Sequence, residues 1–364
     1  MIKNFKNKKV LITGHTGFKG SWLTIWLVMM GAKILGISKD VPTKPSHYSA
    51  LGISKKIIDF RFDIRNLNKL KKTIIKFQPD FIFHLAAQPL VNISYKNPLI
   101  TWETNLVGTI NILESIKLLK KKCVCVIVTS DKCYRNYELK RGYKETDELG
   151  GSDPYSASKG AAEIAVRSYI KSFFVDSKKY RIVTARAGNV IGGGDWNQGR
   201  LIPDCMISAQ SNRVVKIRNQ YSTRPWQHVI ELIYGYLKLA IKLKENKSFH
   251  GESFNFGPNK QKNRKVKEIL HEIKKQWNNF KWAQIKNGDE SEKESKLLKL
   301  NCDKSNRKLK WKILMNFQET IKLTLDWYKQ YSGHFSQKKK NIYKISSYQI
   351  KYYEKKFLNR RNND

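Results

Sequence analysis

Short runs of β-branched and aliphatic residues alternate with stretches of helical period along the first half of the chain. The apolar runs fall at 10–13, 34–37, 57–62, 81–85, 124–129 and 182–185. Between them, the segments 21–30, 66–77, 99–119 and 154–174 read as helices. Apolar strands separated by amphipathic helices mark stacked β–α–β units, in which helices cover both faces of a parallel sheet. The punctuation agrees: Gly31 closes the first helix, Pro42 and Pro45 break the chain after the second strand, and Pro79 ends the helix before the fourth. The pattern predicts an α/β fold with a Rossmann-like, doubly wound parallel sheet over residues 1–186.

Beyond Arg186 the rhythm changes. Residues 189–196, NVIGGGDW, read as a loop, and helices follow at 229–243, 266–277 and 317–330. This predicts a smaller, discontinuous substrate-binding domain over 187–335, with parts of 226–256 returning to the first domain. Residues 338–364 hold nine basic and two acidic side chains, so 336–364 reads as a basic tail, solvated or partly helical.

Composition narrows the classes. Of 364 residues, 40% are hydrophobic and 12% aromatic, enough for a core and too many for wholesale disorder. No apolar run reaches the roughly 18 residues of a membrane span. The lysine-rich start lacks the apolar stretch and cleavage site of a secretory signal. The cysteines at 123, 125, 133, 205 and 302 show no metal-ligand spacing with histidine, which predicts a reduced, cytoplasmic protein with neither disulfides nor a metal site. The net charge of +40 would suit nucleic acid, but it comes from 55 Lys and only 15 Arg, spread over the whole chain. Nucleic-acid readers favour clustered arginine. The lysines therefore read as a surface coat, with no specific nucleic-acid partner, that would still attract an anionic substrate.

The candidate chemistry sits at strand ends. Gly14, Gly17 and Gly20 in TGHTGFKG follow the first strand and open a helix. Glycines let backbone approach a pyrophosphate, and the helix N-terminus offers N–H groups and positive potential. At the end of the second strand, where an acid would bind the adenosine ribose of NAD, stands Ser38, followed by Lys39 and Asp40. That leaves NADP open beside NAD. Asp63 ends the third strand, placed to meet adenine or to start a helix. Tyr155 and Lys159 lie four apart on one helix face, with Thr129-Ser130-Asp131-Lys132 ending the fifth strand. A tyrosine acting as a base near neutrality needs nearby positive charge.

Taken in order, TGHTGFKG, HLAAQP at 84–89, Asn105 in TNLVGT, TSDK, YSASK and ARAGNVIGGGDW resemble the extended short-chain dehydrogenase/reductase family over about residues 5–330. Within it the chain is similar to the nucleotide-sugar 4,6-dehydratases. The segments 15–22, Asp131-Lys132 and 224–228 (RPWQH) point to the CDP-glucose branch; the dTDP-glucose enzymes carry Asp-Glu where this chain has Asp131-Lys132. The resemblance implies oxidation at C4 of the hexose, loss of water across C5–C6 and hydride return to C6, on one bound NAD. It makes Tyr155 the base at the C4 hydroxyl, Lys159 the ribose ligand that lowers its pKa, and Ser130 the partner of the C4 oxygen. Asp131, kept protonated, becomes the acid at the C6 hydroxyl. Lys132 becomes the base at C5, or the cation that steadies the enolate. It also carries cofactor contact onto Gly14, His15, Thr16, Gly17, Phe18, Lys19, Gly20, Ser38, Asp63, Ile64, Leu85, Ala86, Ala87, Gln88, Asn105, Thr129 and Arg186.

The nucleotide of the sugar is expected against Gln88, Asn189, Arg200, Arg218, Arg224 and His228, arginine's planar fork being suited to diphosphate. Second apolar stripes, Ile100, Leu106, Ile110 and Leu113 on one helix and Ala161, Ile164, Ala165 and Tyr169 on another, imply a homodimer through a four-helix bundle. Rival readings stay open. Within the family the chain could be another nucleotide-sugar 4,6-dehydratase or a C4-epimerase, though an epimerase would have no use for Asp131-Lys132. A cofactor-sensing regulator binding nucleic acid would not need Tyr155 and Lys159.

Overall fold

The computed structural model describes residues 2–176, 178–258, 264–285, 297–332 and 341–361. The six apolar runs form β1 (Lys9–Thr13), β2 (Lys33–Ser38), β3 (Ile58–Arg61), β4 (Phe81–His84), β5 (Cys123–Val128) and β6 (Tyr180–Ala187), and β7 (Ser253–Phe256) joins them late. All pair in parallel, in the order β3-β2-β1-β4-β5-β6-β7. Every residue of β4 and β5 is buried, which is why these strands read as unbroken apolar runs. Chain order reverses between β1 and β4, where Thr13 faces His84. The crevice beyond the carboxyl ends at such a reversal is where open α/β sheets bind ligands.

The helices that matter to the site are α1 (Phe18–Met29), α2 (Leu67–Phe77), α3 (Gly108–Lys117), α4 (Pro154–Phe173), α5 (Val229–Glu245), α6 (Phe317–Ser332) and α7 (Ile342–Arg361). Asp153 caps α4, accepting from the Ser156 amide, and Pro154 opens its first turn. Three short strand pairs, one of them Val190–Ile191 with Gln227–His228, lie outside the central sheet. Among the described residues no helix is long and apolar enough to cross a membrane. The five cysteines are free and buried.

One expectation is corrected and another made specific. The single helix over 99–119 is instead Pro98–Trp102, a π-helical turn Glu103–Val107, and α3. The buried Asn105 lies in that turn, and its amide bonds the Gln88 backbone and the Ser158 hydroxyl. The basic tail, expected to be solvated or partly helical, is helical over 342–361 and docks one face: Ile342, Ile345, Ile350 and Tyr353 of α7 are buried in the main core. Ser346 Oγ takes hydrogen bonds with His47 (3.1 Å) and Trp327 (3.0 Å), and Glu354 accepts from the Trp26 indole at 2.9 Å.

Two buried carboxylates tie these layers together, in opposite electrostatic states. Glu163 of α4 accepts from Arg186 at 2.8 Å, from the Thr184 hydroxyl at 2.8 Å and from the Thr129 hydroxyl. Burial pushes its pKa up, but the Arg186 charge and the hydrogen bonds outweigh that and hold it below the ordinary value. Among the described residues no cation forms an ion pair with Glu231 of α5, and Lys356 acts on it only weakly. Glu231 accepts from the Leu314 and Met315 amides and the Tyr353 hydroxyl, and burial lifts it to about 7.

These states predict opposite responses. Arg186→Met leaves Glu163 buried and unpaired, so urea unfolding of the cofactor-free protein should show a loss of about 3–5 kcal/mol, much of it recovered by adding Glu163→Leu. For Glu231 the folded protein binds the extra proton between pH 4.5 and about 7, so this group lowers stability as pH rises through that window. Glu231→Gln should melt higher than the native protein at pH 8, by ~2 kcal/mol, and alike near pH 5.

Candidate active site

The glycine-rich turn is built by close backbone approach. A Cβ on Gly20 would lie 2.0 Å from the Gly14 carbonyl oxygen, and one on Gly14 would lie 2.7 Å from the Ala86 amide. Gly14 also has φ +75°, a region only glycine takes without strain. Gly17 is different. It is the N-cap of α1, has no capping side chain, and a Cβ there would touch nothing nearer than Gly14 O at 3.4 Å. The first amides of a twelve-residue helix thus open onto the switch-point crevice, a cradle that fits a dinucleotide pyrophosphate.

The adenosine end rests on a network that the sequence reading missed. The His15 ring is buried, with Nδ1 2.9 Å from Ser38 Oγ and Nε2 2.9 Å from Asp59. A Cβ at Gly36 would fall 2.5 Å from that ring, so glycine at 36 is what admits it. Asp59 also takes hydrogen bonds from Tyr48 and Arg61. The carboxylate of this network stands one strand over from β2, where Gly36 pairs with Asp59. Thr16 donates to Asp40 O at 2.7 Å. Phe18 is buried, and its ring reaches Gly192 of the NVIGGGDW loop. Asp63 is occupied by Arg65, whose hydrogen bonds overcome burial and hold its pKa low. Ile64 is buried against Gly108.

At the β4 end, Leu85, Ala86, Ala87 and Gln88 line the crevice rim, half-buried. The Gln88 amide group bonds Thr101 and its own loop, and Asn105 fixes the same loop to α4. The Thr129 hydroxyl and the Arg186 guanidinium both turn inward onto Glu163. Their side chains support this edge from beneath.

Above them the predicted catalytic set converges. Ser130 ends β5 in extended backbone, accepts from the Lys132 amide at 3.2 Å and donates to Asp131 Oδ1 at 2.9 Å. Burial pushes the Asp131 carboxyl up, against the pull of Lys132, Ser130 and Lys19. Tyr155, in the first turn of α4, is raised to about 12 by burial; Ser130 and Arg200 pull it back, and Asp131 adds to the rise. Lys159, one turn on, is lowered to about 8 by burial and by Lys19. Lys19 itself is lowered to about 8, by burial and then by Arg200, with Asp131 and Asp195 opposing. Lys19 thus faces the catalytic carboxyl and not the pyrophosphate cradle alone. Arg200 is brought into the same cleft, held by Asp195 at 3.0 Å. Asp195, in the GGGDW run, is a second residue the sequence reading did not single out.

The rest of the expected nucleotide set disperses. Asn189 is half-buried beside Gly188, which adjoins Asp131. Arg218 is exposed and faces Asp204. The backbone of Arg224 pairs with Arg264, and its side chain lies outside the described residues. His228 is corrected: it is buried, caps α5 by accepting from the Ile230 amide, and burial drives it down to about 3. Among the described residues no group of acids, histidines and cysteines could hold a metal ion.

The chain is similar to several known proteins. The family model described as GDP-mannose 4,6 dehydratase matches residues 11–324. A CDP-glucose 4,6-dehydratase of Salmonella typhimurium is 41% identical over 90% of this chain and 92% of its own length. Among solved structures, the epimerase Mth375 of Methanothermobacter thermautotrophicus superimposes with TM-score 0.77 at 24% identity, covering 91% of this chain and 94% of that one. The dTDP-glucose 4,6-dehydratase of Bacillus anthracis, solved in complex with NAD, gives 0.73 at 19%, covering 92% and 100%. With the glycine cradle at the switch point and Ser130, Asp131, Tyr155 and Lys159 gathered on one edge, the chain belongs to the GDP-mannose 4,6-dehydratase family.

Proposed function

We propose that the protein converts CDP-glucose to CDP-4-dehydro-6-deoxyglucose and water. The observation that carries this reading is the buried, protonation-prone carboxyl of Asp131 beside Ser130 and Tyr155. An epimerase needs no acid there; a dehydratase does, because hydroxide leaves C6 only when protonated. The cytidine nucleotide is supported by the Salmonella relative's name and its 41% identity. Bound NAD, as in the Bacillus anthracis structure, would supply the acceptor that takes hydride from C4 and returns it to C6, together with a positive charge. Gly17 and the N-terminus of α1, Ser38 and Lys159 are the residues that would hold it.

The chain's own groups do the proton work. Tyr155 Oη takes the C4 hydroxyl proton. Its raised pKa means the protein alone leaves it protonated, so added positive charge has to favour its ionisation. Ser130 Oγ fixes the C4 oxygen. Oxidation at C4 acidifies C5, and Lys132, half-buried beside Asp131, receives that proton or steadies the enolate. Asp131 gives its proton to the C6 oxygen, and water departs. Lys19 and Arg200 place positive charge where a diphosphate would lie. The product suits deoxysugar supply for surface polysaccharide in the cytoplasm.

Assembly follows from exposed apolar groups. Leu99 is 68% exposed, Ile100 45% and Val107 43%, beside Ile164 of α4 at 50%. Leu113, by contrast, is buried in the core and leaves the expected stripe. The surface supports a homodimer through paired helices.

Three outcomes test these readings. Lys132→Met should still oxidise C4 but stall before water loss, seen as persistent reduced-cofactor absorbance in a single turnover; wild-type turnover with normal C5 deuterium uptake removes the lysine from the step. Asp131→Asn should slow water loss roughly 10²-fold while C5 still exchanges with solvent deuterium. Light scattering at micromolar concentration should give twice the chain mass, and Ile164→Glu should halve it.

A further inference from the structure

A small cavity of about 10 Å³ adjoins Asp131, lined otherwise by backbone and apolar side chains. That is about the least space that admits one water-sized group. Four stretches distant in sequence build its wall: Gly188 after β6, Pro225, Gly257 with Pro258, and Leu298 with Leu300. The wall is anchored, not draped. Leu300 bridges to Tyr143, the Tyr143 amide donates to Lys299 O at 2.7 Å, and Asn301 donates back to Tyr143 O at 2.8 Å.

The carboxyl is divided between two environments. Oδ1 accepts from Ser130 at 2.9 Å. Oδ2 faces Gly188, where an added Cβ would stand 3.2 Å from it. One oxygen therefore looks to the serine assigned to C4, and the other towards an apolar pocket. Proline and leucine walls offer no partner to an anion or a phosphate, and Asp131 alone among the lining side chains can meet a hydroxyl. The walls favour carbon.

Resting on the dehydratase reading above, we propose that this cavity is the subsite for C6 of the hexose. It receives the carbon while C6 passes from hydroxymethyl to methylene to methyl. The chemistry explains why it should be dry. Elimination removes H⁺ from C5 and, with the Asp131 proton, hydroxide from C6 as water, leaving a C5=C6 double bond conjugated to the C4 ketone. Water adding back at C6 reverses the step. Only the hydride taken from C4 carries C6 forward, so a wall that keeps water from C6 commits the intermediate. Leu298 and Leu300 become specificity-determining residues through that exclusion.

The test is turnover in H₂¹⁸O with CDP-glucose, with mass analysis of C6 oxygen in recovered substrate. The wild type should return substrate nearly free of solvent oxygen. Leu298→Ala, at a half-buried position, and Leu300→Ala open the cavity; label at C6 relative to product formed should rise roughly tenfold. If Leu300→Ala does not fold, Leu298→Ala decides alone. Gly188→Ala crowds Oδ2 instead, and should let C4 oxidation proceed while reduced cofactor accumulates and water loss slows roughly tenfold. Normal turnover with wild-type labelling in the leucine variants overturns the subsite and leaves the dehydratase reading standing. No cofactor reduction by the wild type on CDP-glucose overturns both.

Discussion

A guanidinium buried at the end of β6 is tolerable only because a carboxylate on α4 meets it, and that meeting sets the spacing of the catalytic edge. Glu163 lies one turn beyond Lys159 and two beyond Tyr155, so whatever fixes Glu163 fixes the helix that presents both. Through Thr129 the same carboxylate holds the last residue before Ser130. Strands β5 and β6, helix α4 and, through Tyr134, the segment after Asp131 are thereby registered to one point. Neither ion of the pair is exposed, so neither is free to relax into water if the other is lost.

Over this base the cleft is electrostatically unbalanced. Lys19 faces Asp131 and Asp195, and Arg200 pairs with Asp195; Lys19 is lowered by burial and by Arg200, and Lys159 by burial and by Lys19. A dianionic diphosphate entering such a cleft relieves repulsion between cations that are already fixed in place. Burial pushes the Asp131 carboxyl towards its protonated form, although Lys132, Ser130 and Lys19 pull the other way. Its position against apolar walls is thus as much a part of the chemistry as its identity.

The sheet, the glycine turn and the Tyr155–Lys159 face were legible because each obeys a local period or a fixed spacing. What escaped was non-local. Asp59 joins the adenosine end only because β3 lies beside β2, a neighbourhood that spacing along the chain does not reveal. Arg186 and His228 were read from their place in motifs; the fold turns one inward to Glu163 and uses the other as a helix cap. The docking of helix α7 was not legible, since two of its core-facing positions are the polar Ser346 and Gln349. The break at 103–107 follows from Asn105 reaching two partners, which no helix propensity encodes.

The docking of α7 also bears on how the chain is made. The Trp26 indole finds its acceptor on Glu354, 328 residues further along. At ribosomal speeds of about 5–20 residues per second, the first helix of the nucleotide-binding layer waits tens of seconds for the surface that covers it. During that interval Trp26, together with the wall that later buries Ile350 and Tyr353, faces solvent or a chaperone. The amino-terminal half therefore cannot finish its core as it emerges, and its maturation is tied to completion of a segment that contributes none of the catalytic side chains.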